Sequence, residues 1–498
     1  MRRTLGPKLA LAPKLALAPK LALAPKLALA PMLALALVVR TANPQGADHG
    51  AGHNGDAIRC TSGKPEVAVI ACTNIFQDKR EDDGKRAIAL RNRAFHYQQL
   101  GDFDHAIADY TTALRTPEQH GVEARTYLNR GLLYFLKGDE VHALSDYGRA
   151  LALDPKMVST YINRAAIYIK RGEDDRAIAD LDQAAFLDPR DSAIFVSRGT
   201  IYSRRGDQAR AIPDFTQAIQ LNPANATAWR NRSFAYRALG DKAAAAADAV
   251  EAIRLNPNLA AAHFDLGLSV QGPDRAARAL AEFDQAIALN PLDAQAFKAR
   301  GDVYLADGNP DRAIADLSKA IALDATLVSA YIDRGDAHMN KTEWDLAIAD
   351  FDSAIALDPK TYAAYLNRGQ AFGAKHDRKR AIADFSEALR LKADAVGAYR
   401  QRAFFRQEDG DSQGALDDYN RAIQLNPMDA EALRGRGYLW LVRHDAQAAI
   451  ADLSAAIAIN PTDARAYQYR GEAYAAKQDM RRANLDAAAA LRINPSPR

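Results

Sequence analysis

The feature that most constrains this chain is a period. A small residue recurs at Ala94, Gly131, Ala165, Gly199, Ser233, Gly267, Gly301, Gly335, Gly369, Ala403, Gly437 and Gly471, the first step being 37 residues and every later one 34. Twelve residues after each stands an Ala, from Ala106 to Ala483, and seven further on another, from Ala113 to Ala490. Pro closes nine of the twelve repeats, as at Pro155, Pro189 and Pro223. Such a period marks a stack of like supersecondary modules, each too small to bury its own apolar face. At 498 residues the chain also exceeds what one core usually organises.

Within the repeat from Trp229 to Pro257, Trp229, Ser233 and Tyr236 mark one face of a first helix. Gly240-Asp241 marks a turn, and Ala245 and Ala252, a heptad apart, mark the contact face of a second helix. Small residues at the crossing let two antiparallel helices approach closely, while Tyr or Phe rings fill the space beside them. Stacking each pair on the next completes the core, which predicts a one-dimensional solenoid.

These residues resemble the tetratricopeptide repeat family. Its 34-residue pattern of an aromatic, a small residue, a Tyr, two Ala, an aromatic and a closing Pro is matched here by Tyr161, Ala165, Tyr168, Ala177, Leu181, Ala184 and Pro189. The resemblance covers residues 87–498 and implies an all-α fold, a right-handed α-solenoid of about twelve helix-turn-helix repeats. Departures are local: Val270 and Arg406 replace the first-helix Tyr, Ala249 the second-helix aromatic, and Ala325 and Ala393 the Pro. Three extra residues near Thr116 to Gly121 lengthen one inter-repeat loop.

Ahead of the array, residues 1–47 form a leader of near-copies of Pro-Lys-Leu-Ala-Leu-Ala, beginning at Pro7, Pro13, Pro19 and Pro25 and decaying at Pro31. A Pro every sixth residue and the recurring Lys exclude a transmembrane helix. The apolar stretch Leu27 to Val39 behind a cationic run has the layout of a secretory signal, cleaved near Ala42 or Ala47. Export to the periplasm or beyond is one expectation. An expanded coding repeat on a cytoplasmic protein is the other. Residues 48–86 hold the two cysteines, Cys60 and Cys72. In an exported protein they read as a disulfide pinning the loop Thr61 to Pro65 onto a helix starting near Glu66; otherwise they are two thiols on a capping helix. The segment also resembles the short disulfide-bearing helix that precedes such arrays in exported bacterial repeat proteins.

The sequence carries no recognisable catalytic constellation: no phosphate-binding glycine loop, no HExxH, no glycine-flanked nucleophilic Ser. No enzyme activity, metal or cofactor is expected. Net charge is +3, but residues 1–86 contribute 13 Lys and Arg against 7 Asp and Glu, leaving 52 against 55 for the remainder. That balance argues against a nucleic-acid partner. One polar pattern recurs: Arg precedes the small residue in eleven of twelve repeats, from Arg93 to Arg470, and an Asp follows each Arg by sixteen residues, from Asp109 to Asp486. The repeat with Leu266 in place of Arg has Glu282 in place of Asp. Two readings are open, a cationic track for an acidic ligand and an internal Arg-Asp ladder.

In the resembled family the concave groove is lined by first-helix residues, and an Asn ladder there grips the backbone of a threaded peptide. The matching positions are Asn92, Asn129, Asn163, Asn231 and Asn367. Arg91, Arg125, Lys170, Arg204, Arg230, Phe234 and Arg237 are expected on the same groove, against Asp302 and Asp336 in the middle repeats. This bias points to an acidic-apolar segment docking at the N-terminal half. The alternative is that Asn merely bonds the neighbouring helix backbone. The function expected is a scaffold binding peptides or partner proteins. A targeting subunit for a separately encoded enzyme, since no enzyme follows the repeats, and a solenoid self-associating through Ala487 to Leu491 are the alternatives.

Overall fold

The computed structural model describes residues 54–116, 120–272 and 274–494. The leader, its tandem repeat and the signal-like stretch lie outside the described residues. All regular structure among the described residues is helical, in twenty-six helices. They form two compact units, one ending at Leu187 and the other beginning at Asp188. The N-terminal unit holds α1 (Asn54–Ser62) and α2 (Pro65–Gln77), followed by three antiparallel pairs: α3 (Asp83–Gln99) with α4 (Phe103–Ala113), α5 (His120–Leu136) with α6 (Glu140–Leu153), and α7 (Val158–Arg171) with α8 (Asp174–Leu187). The C-terminal unit holds nine pairs, from α9 (Ser192–Arg204) to α26 (Met480–Ile493). These twelve pairs are the twelve repeats, so the all-α solenoid expected from the period is the fold.

The recurring small residues do what their spacing implied. Both second-helix Ala positions are buried in every repeat. At the first-helix position the crossing is so close that a Cβ added to Gly199 would stand 2.9 Å from the Phe215 ring, and one added to Gly335 would stand 2.6 Å from Phe351. Between the helices Gly240 takes φ +83, and the Asp241 carboxylate accepts the Ala244 amide at 3.0 Å, capping α12 (Lys242–Leu255). In four repeats the same left-handed position is held by a side-chain-bearing residue: Thr342, His376, His444 and Gln478.

Cys60 and Cys72 are joined by a disulfide that ties α1 to α2. Pro65 opens α2 as expected, but Thr61 and Ser62 are the last turn of a helix and not a loop. The short run Asn54–Ser62 lacks a long apolar period, and its helicity follows from docking Cys60 against Ala71 and Ala89. Two departures from the family pattern also have local outcomes. Val270 ends α13 (Ala260–Ser269) early. Arg406 reaches back to Asp418 at 2.9 Å and joins the polar ladder in place of a ring.

Successive first helices pack on one another more closely than successive second helices do, as α5 on α7, or α11 (Ala226–Ala238) on α13. In a stack of pairs the helices that draw together lie inside the curve. The first-helix face is therefore the concave face of each unit.

Candidate functional site

The Arg-Asp pattern is a ladder within each repeat. All eleven Arg residues hold the Asp sixteen positions on with two parallel bonds, Nε to one oxygen and Nη2 to the other, as in Arg130 to Asp146 at 2.8 and 2.8 Å and Arg334 to Asp350 at 2.9 and 2.6 Å. The Asp partner is buried in every case, so the bidentate pair is satisfied internally and leaves little charge for a ligand. The spacing alone does not reveal the third donor. In eight of the eleven, Nη1 reaches a Thr, Ser, Asp or Asn on the second helix of the preceding repeat, as Arg334 to Ser318 at 3.0 Å and Arg300 to Asp284 at 2.6 Å, and Arg93 reaches Thr73 on α2. Aromatics flank the guanidinium, Arg232 lying 5.0 Å from the Trp229 ring and 5.8 Å from Tyr236. In the repeat that lacks Arg, His263 stands at the aromatic position and meets Glu282 at 2.7 Å, so one exception compensates the other.

The predicted Asn positions sit in a second polar row, at the seam between first helices. Asn92, Asn129, Asn163 and Asn231 are buried and Asn367 is half-buried. Asn129 and Asn163 face the buried hydroxyls of Tyr110 and Tyr147 of the preceding repeats. Asn231 donates to Thr200 at 3.3 Å and Asn367 to Asp336 at 2.7 Å. Where Asp replaces the amide, at Asp265 and Asp333, an ion network takes the seam. Asp265, fully buried, is held by Arg230 at 2.7 Å and Arg237 at 3.4 Å, in the space that the second-helix aromatic would fill if Ala249 were a ring. Burial pushes the Asp265 carboxyl up despite both cations. Lys298 likewise bridges Asp302 at 2.7 Å and Asp333 at 2.8 Å. Burial raises Asp302 to about 6 against the pull of Lys298, and raises Asp336 to about 6 against that of Asn367.

Of the predicted groove cations, then, Arg230 and Arg237 are committed to Asp265. Lys170 pairs with Glu140 at 2.7 Å and lies over Phe135. Arg125 bonds the Gly121 carbonyl at 3.3 Å. Arg91 and Arg204 are half-buried and not free, and Phe234 lies half-buried beside Arg230 and Arg237.

An open feature of the concave face lies elsewhere, on α21 (Val396–Glu408), α23 (Ala430–Val442) and α25 (Ala464–Ala476). Arg400, Phe404, Arg434, Tyr438, Arg465 and Tyr469 line a cavity of about 260 Å³ there. Its walls are set by helix caps. Asp429 accepts the Ala432 amide at 3.0 Å and holds Arg400 at 2.9 Å, while Asp463 accepts the Ala466 amide at 3.1 Å and holds Arg434 at 2.6 Å. Its floor depends on Gly435, which occupies the amide position of earlier repeats. A Cβ there would stand 2.3 Å from the Tyr419 ring and 2.5 Å from its hydroxyl. Tyr469, at the same position one repeat on, packs its ring 4.7 Å from that of Tyr438. The signal was present in the sequence as 34-residue echoes of exposed types, Arg400 with Arg434 and Phe404 with Tyr438, in repeats that carry no Asn at the predicted position.

Among the described residues no group of three or more His, Cys, Asp or Glu is placed to hold a metal, and no helix is long and apolar enough to cross a membrane. What fold and surface define is a class: a helical-repeat protein whose polar side chains are mostly spent on holding its own repeats in register. The chain belongs to the tetratricopeptide repeat family, whose models match residues 85–156, 196–260, 264–327, 332–400 and 406–464. It is a protein-interaction scaffold in the general sense of that family, with other proteins as partners. No curated protein matches the sequence. Similar solved structures include YrrB, described as a TPR protein with an unusual peptide-binding site, at 25% identity over 36% of this chain and 93% of that one with a TM-score of 0.33. The APC/C hetero-tetramer Cut9-Hcn1 aligns at 17% identity over 84% and 88% with a TM-score of 0.42, and yeast Tom70 at 18% over 80% and 97% with a TM-score of 0.36.

Proposed function

We propose that this protein holds an extended segment of a partner protein along the concave, first-helix face of its array. The observation that carries the reading is the contrast between rows. The ladder and the seam are internally paired, whereas side chains on α21, α23 and α25 line an open cavity on the face that lies inside the curve. Backbone-gripping by Asn129, Asn163 and Asn231 would require those amides to leave their seam partners, so the grip is assigned to other first-helix side chains, and in the C-terminal repeats before the N-terminal ones. The disulfide between α1 and α2 supports placing the mature protein outside the cytoplasm, in the periplasm or beyond.

The test is positional. A photo-crosslinking amino acid is placed in the full chain at Phe404 on a first helix, or at Val250 and Phe186 on second helices, all exposed. Partner adducts are expected at Phe404 and not at the other two. Adducts confined to the second-helix positions would overturn the reading.

One observation favours a second reading, self-association. A cavity of about 470 Å³ opens on the pair α25 and α26, lined by Gly471, Ala487, Ala490 and Leu491, where Ala487 stands at the position that carries a ring or Leu in every other repeat but that of Ala249. Sedimentation of the protein and its Leu491→Glu variant decides it: an oligomer that Leu491→Glu dissolves supports self-association, and a monomer at all concentrations refutes it.

A further inference from the structure

The cavity on α21, α23 and α25 has a chemistry more specific than a groove for any peptide. Its apolar surface is aromatic, from the tilted Tyr438 and Tyr469 rings and from Phe404, which is 45% exposed on the outer rim. Its polar surface is guanidinium. Arg434 spends Nη1 on Asp463, which leaves its other donors for a ligand, and Arg465 is exposed with no acidic partner among the described residues. At about 260 Å³ the space lies below the roughly 300–1,000 Å³ of clefts that enclose small molecules and suits one inserted side chain.

We propose that this cavity is a recognition site for an acidic peptide segment bearing an aromatic residue, the ring seating against Tyr438 and Tyr469 and the flanking carboxylates meeting Arg465 and Arg434. The inference rests on the concave-face reading and narrows it to a place and a ligand chemistry. Aromatic anchors stack in offset or tilted geometry, and guanidinium forks match carboxylates in pairs, so the two surfaces specify a ring and an acid side by side. A nucleic acid would meet the same rings and cations. A longer polyanion would also carry phosphates beyond the cavity, past the Asp302, Asp333 and Asp336 row on the same face, where Lys298 is already committed and which a short acidic segment need not reach. The peptide is the ligand this charge distribution favours.

The probe is a fluorescein-labelled peptide, Gly-Asp-Glu-Tyr-Asp-Glu, titrated with the full-length protein by anisotropy. Two control peptides carry Ala in place of Tyr, or Asn and Gln in place of the acids. Saturable binding is expected, weakened at least about tenfold by either control and by Arg465→Glu. Arg465 makes no described internal bond, so that variant should melt as the parent does, and a loss of binding is a loss of recognition. Equal binding of the neutral peptide, unchanged binding by Arg465→Glu, or displacement by an oligouridylate would overturn the proposal. So would no binding up to about 1 mM. The concave-face reading would survive that last result, because crosslinking at Phe404 tests it independently.

Discussion

Arg232 holds Asp248 with two parallel hydrogen bonds, Nε to Oδ2 at 2.7 Å and Nη2 to Oδ1 at 2.9 Å, and its third nitrogen reaches Thr216 of the preceding repeat at 3.0 Å. One side chain thus ties first helix to second and repeat to repeat. Asp248 is only 5% exposed, so removing either partner strands a charge where water cannot reach it well. Arg232→Leu and Asp248→Leu are each expected to cost about 3 kcal/mol, and the double variant less than the sum. A thermal-melt double-mutant cycle measures the coupling. Zero coupling would refute the ladder.

Thr342 takes φ 59, a left-handed backbone that a β-branched residue adopts at a cost. Eight glycines of the described chain adopt positive φ freely, most of them at this same turn. Thr342→Gly should stabilise by about 1 kcal/mol and raise the melting temperature. The same change at Thr112, exposed inside α4 and bonded only to the Ala108 carbonyl of its own helix, should destabilise by a similar amount. Denaturant titration of both variants separates turn strain from a general effect of glycine.

The seam carboxylates give stability a pH dependence of definite sign. Asp302 and Asp336 titrate near 6 in the folded protein, above the usual carboxylate value, because burial disfavours their charged forms. Their contribution is therefore fully present below the unfolded value and is lost as pH rises through about 6. Asp336→Asn keeps the shape facing Asn367 and removes the charge facing Asp333. It should stabilise by about 1 kcal/mol at pH 8, allowing for partial exposure, and by nearly nothing at pH 4. Equal effects at both pH values would show that Asp336 titrates as an exposed carboxylate does.

The fold was legible because one helix pair is written twelve times, and Ala177 or Ala245 can only serve a close crossing when each recurs at a 34-residue step. The ladder was legible for the same reason. The seam was not, because it joins residues whose partners change from repeat to repeat: Asn231 finds Thr200, Asn367 finds Asp336, and Asp265 finds two Arg. Placing Arg230 and Arg237 in the seam and not on the groove required knowing that Ala249 leaves room for an acid between them. The cavity on α21, α23 and α25 was hidden because attention to Asn passes over Gly435 and Tyr469 at the same position, where Gly435 opens its floor and Tyr469 builds its wall.

The disulfide caps a terminus and does not brace the array. Cys60→Ser with Cys72→Ser should release α1 and expose the α2 face that carries Ala71, as hydrogen exchange would detect, while the main melting transition moves little. Closing a loop of this length is worth about 3 kcal/mol to the local cap. Thiol titration of the denatured, unreduced protein purified from its native compartment should find none. Two free thiols would place the protein in a reducing compartment.

The Arg230, Arg237 and Asp265 network makes the sharpest test of whether a seam is a self-contained module. Asp265→Asn alone strands Arg230, which is 6% exposed, and should cost about 3 kcal/mol. Ala249→Tyr alone drives a ring into space the ions occupy and should cost about 1–3 kcal/mol by overpacking. The corresponding positions three seams earlier hold Leu128, Phe135, Tyr147 and Asn163, an apolar seam with one amide. Transplanting that set as Arg230→Leu, Arg237→Phe, Ala249→Tyr and Asp265→Asn removes two buried charges and one half-buried one together and restores the ring with its amide. Replacing a buried ion network by well-packed apolar groups is often neutral or stabilising, so the fourfold variant should melt no lower than the parent although its component single changes are damaging. A fourfold variant as unstable as the sum of its parts would mean that the seam depends on residues beyond these four.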